Sequence, residues 1–92
     1  MKKIKIAVLG CGRIGQMHAK NVALHGLTSL ACVYDINEEF ANKVASELGV
    51  SAVTNDSEIF SNTDIDAILI ASPPDTHIEF IEKSVAANKP VL

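Results

Sequence analysis

The segment 10–15 is the part of this sequence whose residue types and spacing are best suited to chemistry. It follows an apolar run and carries glycines at its first, third and sixth positions, a spacing typical of loops that bind the phosphates of a dinucleotide. We expect Gly10 to permit a tight turn, and Gly12, which lacks a Cβ, to let a pyrophosphate approach the backbone. Gly15 would allow helix and strand to pack closely, and the free N–H groups of the helix start would hold the phosphates.

Asp35 is the second part of this predicted site, and it stands 20 residues past Gly15, at the end of a second apolar run. A carboxylate at that place accepts hydrogen bonds from the ribose hydroxyls of adenosine and repels a 2′-phosphate. The two residues that follow, Ile36 and Asn37, offer no positive charge to such a phosphate. The sequence therefore favours NAD over NADP. The alternative is a strand-end aspartate that only caps a turn.

Arg13 and Ile14, within the glycine segment, are also predicted to contact the cofactor. Arg13 stands at the helix entrance, where it can add a charge-assisted contact to a phosphate. A solvated arginine is an equally good interpretation, because the backbone alone can hold a pyrophosphate. The cofactor-binding residues predicted around this segment are Gly10, Gly12, Arg13, Ile14, Gly15 and Asp35.

The segment 72–77 is a second candidate site, and it ends the most hydrophobic of the predicted strands. Proline fixes its φ angle, so Pro73 and Pro74 would make this loop stiff enough to shape the wall of a binding site. A strand terminator without a binding role is the alternative for Ser72 and Pro73. Two interpretations of His77 stay open: it faces the cofactor or the substrate, or it begins a helix and points into water.

Strand and helix patterns alternate along the chain, which predicts a doubly wound parallel α/β sheet of the Rossmann type, covered by helices. The predicted strands are Ile4–Leu9, 30–34, Ser51–Val53 and 66–71, with the start of a fifth at 91–92. The predicted helices are 13–25, Glu38–Leu48, a single turn ending at Phe60, and 77–87. The expected strand order, 3-2-1-4-5, opens a crevice between the first and fourth strands, and the two candidate sites face each other across it.

Hydrophobic spacing and capping residues predict how the helices pack and where they end. Asn37 and Gly49 are expected to cap the second helix, and Asn88 to end the last one. Thr76 and Glu79 have the spacing of a capping box at the start of the last helix. The apolar faces expected to pack are Ile14, Met17 and Leu24 in the first helix, Phe40, Val44 and Leu48 in the second, and Ile78, Ile81 and Val85 in the last.

Length, composition and charge restrict the classes of function. The chain has 92 residues, 48% of them hydrophobic, and a net charge of −3, which suits one small domain with its own core. No basic stripe is present, so no nucleic-acid partner is expected. No apolar stretch is long enough for a signal peptide or a membrane span, so no membrane partner is expected. Cys11 and Cys32 have neither CxxC nor metal-ligand spacing, so we expect no metal and a reducing, cytoplasmic location.

Several stretches that together cover nearly the whole chain resemble one known family. They are the glycine segment 10–15 with His18 after it, 33–35, and 66–73 with His77, together with the final 88–92. On these residues the chain is identified as a member of the Gfo/Idh/MocA dehydrogenases, at their N-terminal domain. The resemblance implies an NAD(P)-dependent oxidoreductase acting on a secondary hydroxyl of a sugar or of a cyclitol such as inositol, and a homo-oligomer when full length. It also implies that the loop ending at His77 lies along the nicotinamide half of the cofactor.

The pattern of this family extends beyond the end of the sequence. Its members carry a Glu-Lys-Pro segment with a catalytic lysine a residue or two past the position of Leu92, and a second, sheet-rich domain. We therefore expect residues 1–92 to be the NAD-binding N-terminal part of a longer protein, with no catalytic residue and no activity of its own. The alternatives are a non-catalytic nucleotide-binding regulatory or redox-sensing module, and a methyltransferase, which shares the acid after the second strand.

Overall fold

The structure, a computed structural model, describes residues 2–92 and contains a four-stranded parallel sheet with helices on both faces. The strands are β1 (Ile4–Leu9), β2 (Thr28–Tyr34), β3 (Ser51–Val53) and β4 (Ala67–Ile70), in the order β3-β2-β1-β4. The helices are α1 (Arg13–Leu24), α2 (Glu38–Leu48), α3 (Ser57–Ser61) and α4 (His77–Ala86), with a 3-10 turn at Pro74–Thr76. The predicted Rossmann architecture is confirmed.

The place predicted for a fifth strand lies beside β4. Val91 forms a parallel bridge to Ile68, and the amide of Leu92 donates to the Ile68 carbonyl oxygen over 2.8 Å. The amide of Ile68 in turn donates to the carbonyl oxygen of Pro90 over 2.9 Å. These contacts agree with the fifth position of the predicted order, next to β4.

Three predicted elements, β1, α2 and β3, have the bounds that the sequence indicated. β2 begins earlier than predicted, because Thr28 pairs with Ile4 at the start of β1. β4 is shorter than the predicted 66–71, α1 ends at Leu24, and α4 ends at Ala86. The differences lie at element ends, which depend on pairing partners more than on local sequence.

The core lies on both faces of the sheet, because a parallel sheet is covered by helices on each side. Successive residues of β1 point to opposite faces, so this central strand contributes to both layers. The layer under α1 and α2 includes Val8, Val33, Ala19 and Val44. The layer under α3 and α4 includes Leu9, Ile68, Ile59 and Phe80.

The large apolar side chains predicted to pack in α1 and α4 are exposed, and so is Phe40 of α2. In α1 the exposed residues are Ile14, Met17 and Leu24, and the buried ones are Gly15, Ala19 and Val22. In α4 the exposed residues are Ile78, Ile81 and Val85, and the buried ones are Phe80 and Ser84. α1 turns mainly small side chains toward the sheet, and α4 turns Phe80 and Ser84 toward it. The spacing of apolar residues does not show which of two possible faces of a helix is the buried one. Despite these exposed faces, no helix within residues 2–92 combines the length and apolar character that spanning a membrane requires.

The capping predictions are confirmed for both ends of α2 and wrong for the start of α4. The Asn37 Oδ1 accepts hydrogen bonds from two amides of the first turn of α2, over 3.0 and 3.3 Å, and Gly49 ends the helix at a φ of +70°. Asn88 lies just past α4 with a φ of +57°, as expected of a residue that ends a helix. Thr76 makes no capping bond to α4, because its hydroxyl bonds to the turn before the helix.

Candidate functional site

The glycine segment 10–15 lies at the carboxyl end of β1, between β2 and β4. The amide of Gly10 donates to the Tyr34 carbonyl oxygen, and the amide of Ala71 donates to the last residue of β1, each over 2.7 Å. Gly10 has a φ of +108°, and a Cβ there would lie 2.5 Å from the amide nitrogen of Ser72. Only glycine fits this turn.

Gly15 and Gly12 differ in what surrounds them. A Cβ on Gly15 would overlap the carbonyl group of Gly10, so the backbone of the protein itself requires glycine there. Gly12 has an ordinary φ of −73°, and a Cβ there would meet no atom within 4 Å. The fold does not require glycine at position 12, and the space beside its backbone is open at the start of α1.

Asp35 follows β2 directly, and its carboxylate bridges two backbone segments. The Oδ2 atom accepts a hydrogen bond from the Cys11 amide over 2.7 Å, and Oδ1 accepts one from the Asn37 amide over 2.8 Å. Asp35 therefore caps its own turn, and it also joins β2 to the glycine segment. An ionised carboxylate has about four acceptor positions, so both oxygens keep capacity for hydroxyl donors.

The two cysteines are buried, free thiols. The Cys11 Sγ lies 3.6 Å from the Tyr34 carbonyl oxygen. Burial and, to a smaller extent, the Asp35 carboxylate raise the pKa of the Cys11 thiol to about 12, and burial raises the pKa of Cys32 to about 11. Both thiols are uncharged near neutral pH and are therefore poor nucleophiles.

Arg13 and Ile14 begin α1 directly after Gly12, and both are exposed. The first turn of α1 contains no acidic residue, so no side chain of that turn neutralises the partial positive charge of the helix N-terminus. The guanidinium of Arg13 adds a full positive charge at the same end. This corner of the molecule suits an anion.

Side-chain hydrogen bonds hold the loop after β4. The Thr76 hydroxyl donates to the Pro73 carbonyl oxygen over 2.6 Å, and it lies 2.6 Å from the Ser72 hydroxyl. Because Thr76 uses its one proton on Pro73, Ser72 is the donor in the second pair. The Ser72 hydroxyl then keeps only acceptor capacity.

His77 begins α4, and its ring bonds back to the end of the preceding loop. The Nε2 atom lies 2.8 Å from the Ser72 carbonyl oxygen. A carbonyl oxygen can only accept, so Nε2 is the donor in this pair. The ring is therefore held against the end of the loop after β4.

A cavity of about 450 Å³ lies between the glycine segment and the loop after β4. Its lining includes the predicted residues Gly10, Asp35, Ser72 and Pro73, so the structure brings both candidate sites to one cavity. The other predicted residues lie outside this lining, at the starts of α1 and α4. The crevice expected between the first and fourth strands is therefore present.

The sequence did not predict the charged wall of this cavity. The Lys83 Nζ donates to Asp56 Oδ2 over 2.8 Å and lies 2.9 Å from Glu79 Oε1. Hydrogen bonds from Lys83 to these two carboxylates raise the pKa of its ammonium group. The spacing of Glu79 and Lys83, four residues apart on a helix, was a usable signal. Asp56 lies 27 residues from Lys83, and no local pattern links them.

Almost the whole chain, residues 4–92, matches the family model GFO_IDH_MocA, described as an oxidoreductase family with an NAD-binding Rossmann fold. The chain belongs to this family. The resemblance carried by the glycine segment, Asp35 and the loop after β4 is confirmed, and the chain is the NAD-binding domain of a Gfo/Idh/MocA oxidoreductase.

Curated relatives of this Gfo/Idh/MocA domain include inositol dehydrogenases. It is 36% identical over 89 residues to the inositol 2-dehydrogenase of Rhizobium meliloti (strain 1021), an alignment that covers 97% of the chain and 27% of the relative. It is 37% identical over 93 residues to the scyllo-inositol 2-dehydrogenase (NAD(+)) of Bacillus subtilis (strain 168), and this alignment covers 98% of the chain and 27% of the relative. The chain therefore spans about a quarter of the length of these relatives.

Solved structures of the family superpose closely on this domain. A myo-inositol dehydrogenase from Corynebacterium glutamicum ATCC 13032 matches with a TM-score of 0.91 and 37% identity, over 98% of this chain and 27% of that one. A scyllo-inositol dehydrogenase from Lactobacillus casei, solved with bound NAD(H) and scyllo-inositol, matches with a TM-score of 0.89 and 33% identity, over 98% and 27%.

Proposed function

We propose that this domain binds NAD in the crevice between the glycine segment and the loop after β4. The pyrophosphate lies against the backbone of Gly10 and Gly12 and against the first amides of α1. Arg13 and Ile14 flank it at the helix start. Gly15 acts indirectly, because it lets α1 approach the segment closely.

The observation that carries this proposal is the open space beside Gly12. Gly10 and Gly15 are required by the backbone around them, whereas a Cβ on Gly12 would meet nothing within 4 Å. A glycine that the fold does not need is explained by a ligand that approaches its backbone. An acid-free helix start behind it favours an anionic ligand.

We infer a preference for NAD over NADP from the charges in the crevice. Asp35 is held at the glycine segment by the Cys11 amide, where its carboxylate accepts hydrogen bonds from ribose hydroxyls and repels a 2′-phosphate. The cavity lining adds further acids, and its one base, Lys83, is already paired with two of them. This wall of the crevice offers no unpaired positive charge to a 2′-phosphate.

Ser72, Pro73 and His77 are proposed to line the nicotinamide half of the cofactor. Proline stiffens this loop, and the hydrogen bonds of Thr76 and His77 fix its shape. Because its own proton is committed, Ser72 accepts a hydrogen bond from a carboxamide or a hydroxyl and does not donate one. The bound cofactor supplies the hydride acceptor, while these residues bind and orient it.

We propose that the whole protein is a dehydrogenase that oxidises a secondary alcohol of a sugar or cyclitol, in the manner of an inositol 2-dehydrogenase. The relatives above, which are inositol dehydrogenases, support this substrate class. Residues 1–92 would be its N-terminal cofactor domain, and the catalytic lysine and the substrate domain would follow Leu92. A cytoplasmic homo-oligomer is the expected form.

Calorimetric titration of NAD onto the wild type and a Gly12→Ala variant tests the binding proposal. The added methyl group occupies space proposed for the pyrophosphate, so we expect NAD to bind about tenfold more weakly, or about 1.4 kcal/mol, with an unchanged melting temperature. Gly26→Ala is the control, because Gly26 also has no neighbour within 4 Å but lies past the other end of α1. Equal NAD affinity in the wild type and Gly12→Ala would contradict the proposal.

The intact mass of the protein from its natural source tests the proposal for the whole protein. A mass several-fold above 9.8 kDa, together with sequencing that finds Glu-Lys-Pro after Leu92, supports the dehydrogenase. The reduction of NAD by the whole protein would then be assayed with myo- and scyllo-inositol. A natural product ending at Leu92 would favour the non-catalytic nucleotide-binding module.

A further inference from the structure

The cavity reaches from Asp35 to a charged wall that neither the phosphates nor the ribose of a dinucleotide requires. Asp56, Glu79 and Lys83 belong to its lining, together with Phe80. Asp56 directly precedes α3, and Glu79 and Lys83 lie one turn apart on α4. The wall is therefore built from two parts of the chain that are far apart in sequence, the residue before α3 and one face of α4.

Lys83 holds the Asp56 carboxylate in place at this wall. Its ammonium group donates to Asp56 Oδ2 over 2.8 Å, and its second partner, Glu79, lies at 2.9 Å. The Asp56 side chain is only 19% exposed, compared with 65% for Glu79. Asp56 is thus the more sheltered and better fixed of the two acids.

The Asp56 carboxylate has an acceptor to spare. Within residues 2–92, the hydrogen bonds of its side chain involve Oδ2 only, so Oδ1 is available to a donor from a ligand. Apolar side chains line the same cavity, among them Ile36, two residues past β2, and Phe80 of α4. A cavity that combines apolar side chains with the sheltered carboxylate of Asp56 suits a flat heterocycle that carries an exocyclic amino group.

We propose that this end of the cavity holds the adenine ring and that Asp56, positioned by Lys83, accepts a hydrogen bond from the adenine amino group. The inference rests on the proposed NAD site, because the ribose at Asp35 directs the base into the same cavity. It adds a specificity-determining residue, since Asp56 distinguishes adenine from hypoxanthine. Hypoxanthine places a carbonyl oxygen where adenine has its amino group, and that oxygen is repelled by the carboxylate.

Titration of NAD and of nicotinamide hypoxanthine dinucleotide onto the same protein tests this inference. The wild type is expected to bind NAD about tenfold more tightly, the loss typical of one hydrogen bond to a charged group. In Asp56→Asn the amide can accept from an amino group or donate to a carbonyl. The ratio of the two affinities should therefore fall close to one in this variant.

Glu58→Gln is the matched control, because Glu58 is an exposed acid on α3, two residues from Asp56, that lies outside the cavity lining. It should keep the tenfold ratio. Far-UV circular dichroism and thermal melting check that each variant is folded. A measurement that needs no variant is the affinity of the wild type for 1,N6-ethenoNAD, in which the amino group is alkylated; this analogue should also bind about tenfold more weakly than NAD.

The outcomes separate this inference from the proposed function. Tight binding of NAD with equal affinity for the hypoxanthine or etheno analogue overturns the role of Asp56 and leaves the NAD site intact. A folded Asp56→Asn variant that keeps the wild-type ratio of NAD affinity to hypoxanthine-analogue affinity also overturns the role of Asp56 alone. Failure of the wild type to bind any of the dinucleotides overturns both proposals.

Discussion

The two loops that face each other across the crevice are fixed by different kinds of contact. The glycine segment is crowded by the main chain: Gly10 bonds to β2 and abuts the end of β4, and Gly15 abuts Gly10. One side chain, the Asp35 carboxylate, adds a hydrogen bond to its Cys11 amide. In the loop after β4 side chains add to the backbone hydrogen bonds of the turn: the Thr76 amide donates to the Pro73 carbonyl oxygen, and the Thr76 hydroxyl joins Ser72 to Pro73. A Cβ added at Gly10 or Gly15 must move backbone, whereas the loop after β4 can lose one side-chain hydrogen bond at a time.

This difference predicts which residues of the site can be substituted with little loss of stability. Close packing of main chain leaves no flexible atom that can yield, so a single added carbon is costly. A network of hydroxyl groups at a partly exposed turn loses about 1 kcal/mol for each bond removed. Substitutions of Gly10 and Gly15 should therefore lower stability more than substitutions in the loop after β4.

Gly15→Ala is expected to have the largest effect. Its methyl group would overlap the carbonyl group of Gly10, so α1 or β1 must shift, and we expect a loss of about 3 kcal/mol of unfolding free energy. Urea denaturation followed by circular dichroism measures this loss. Gly26→Ala, whose new methyl meets no atom within 4 Å, should stay close to the wild type. Similar stability of the two variants would contradict the account of a rigid glycine segment.

Asp35→Ala should have the next largest effect, because this side chain ties the glycine segment to β2. Removal of the carboxylate leaves the Cys11 amide without its acceptor, which costs about 1–2 kcal/mol of stability. NAD should bind about tenfold more weakly, and the difference between NAD and NADP affinity should narrow. Urea denaturation measures the loss of stability, and calorimetric titration measures the affinities for NAD and NADP.

Asp75→Ala is the control for Asp35→Ala, since Asp75 is an acid of the opposite loop that also lines the cavity. It should leave stability near the wild-type value and reduce NAD affinity less. Unchanged affinity for both cofactors in Asp35→Ala would remove Asp35 from the binding site. Equal effects of the two substitutions would reduce its role to general negative charge.

The same contrast explains what the sequence could and could not predict. Where backbone segments approach closely, only glycine fits, so the tight turn at Gly10 and the close packing at Gly15 could be predicted from the sequence. Contacts between side chains leave no comparable trace in the sequence, and Thr76 was expected to cap α4 although its hydroxyl bonds to Pro73. The pair of Asp56 and Lys83 depends on how α3 and α4 are packed, which no local pattern records.

Alkaline pH should lower the free energy of unfolding, because the Cys11 thiol of the glycine segment is buried. The pKa of Cys11 is about 12 in the folded chain, compared with an ordinary value of 9.0, so above pH 9 the unfolded chain loses a proton that the folded chain keeps. Stability therefore falls as pH rises from 9 toward 12, and by pH 10 Cys11 alone accounts for about 1.4 kcal/mol. Urea denaturation at pH 8 and pH 10 measures the change.

The Cys11→Ala variant isolates this effect. Its cavity lowers stability equally at both pH values, whereas the difference between pH 8 and pH 10 should shrink by about 1.4 kcal/mol relative to the wild type. The buried thiol of Cys32, whose pKa is raised to about 11, continues to titrate in both proteins and cancels in the comparison. The same pH dependence in wild type and variant would show that the Cys11 thiol is not protected by the fold.

Thr76→Val should have the smallest effect, because it removes hydrogen bonds from the loop after β4 and leaves the backbone in place. Valine matches threonine in shape but cannot donate to Pro73 or accept from Ser72, so we expect a loss of about 1 kcal/mol. Thr54→Val, at an exposed bend after β3, is the matched control and should change stability very little. A loss as large as that of Gly15→Ala would mean that this loop is as rigid as the glycine segment, and no loss relative to Thr54→Val would mean that the hydroxyl network does not hold it.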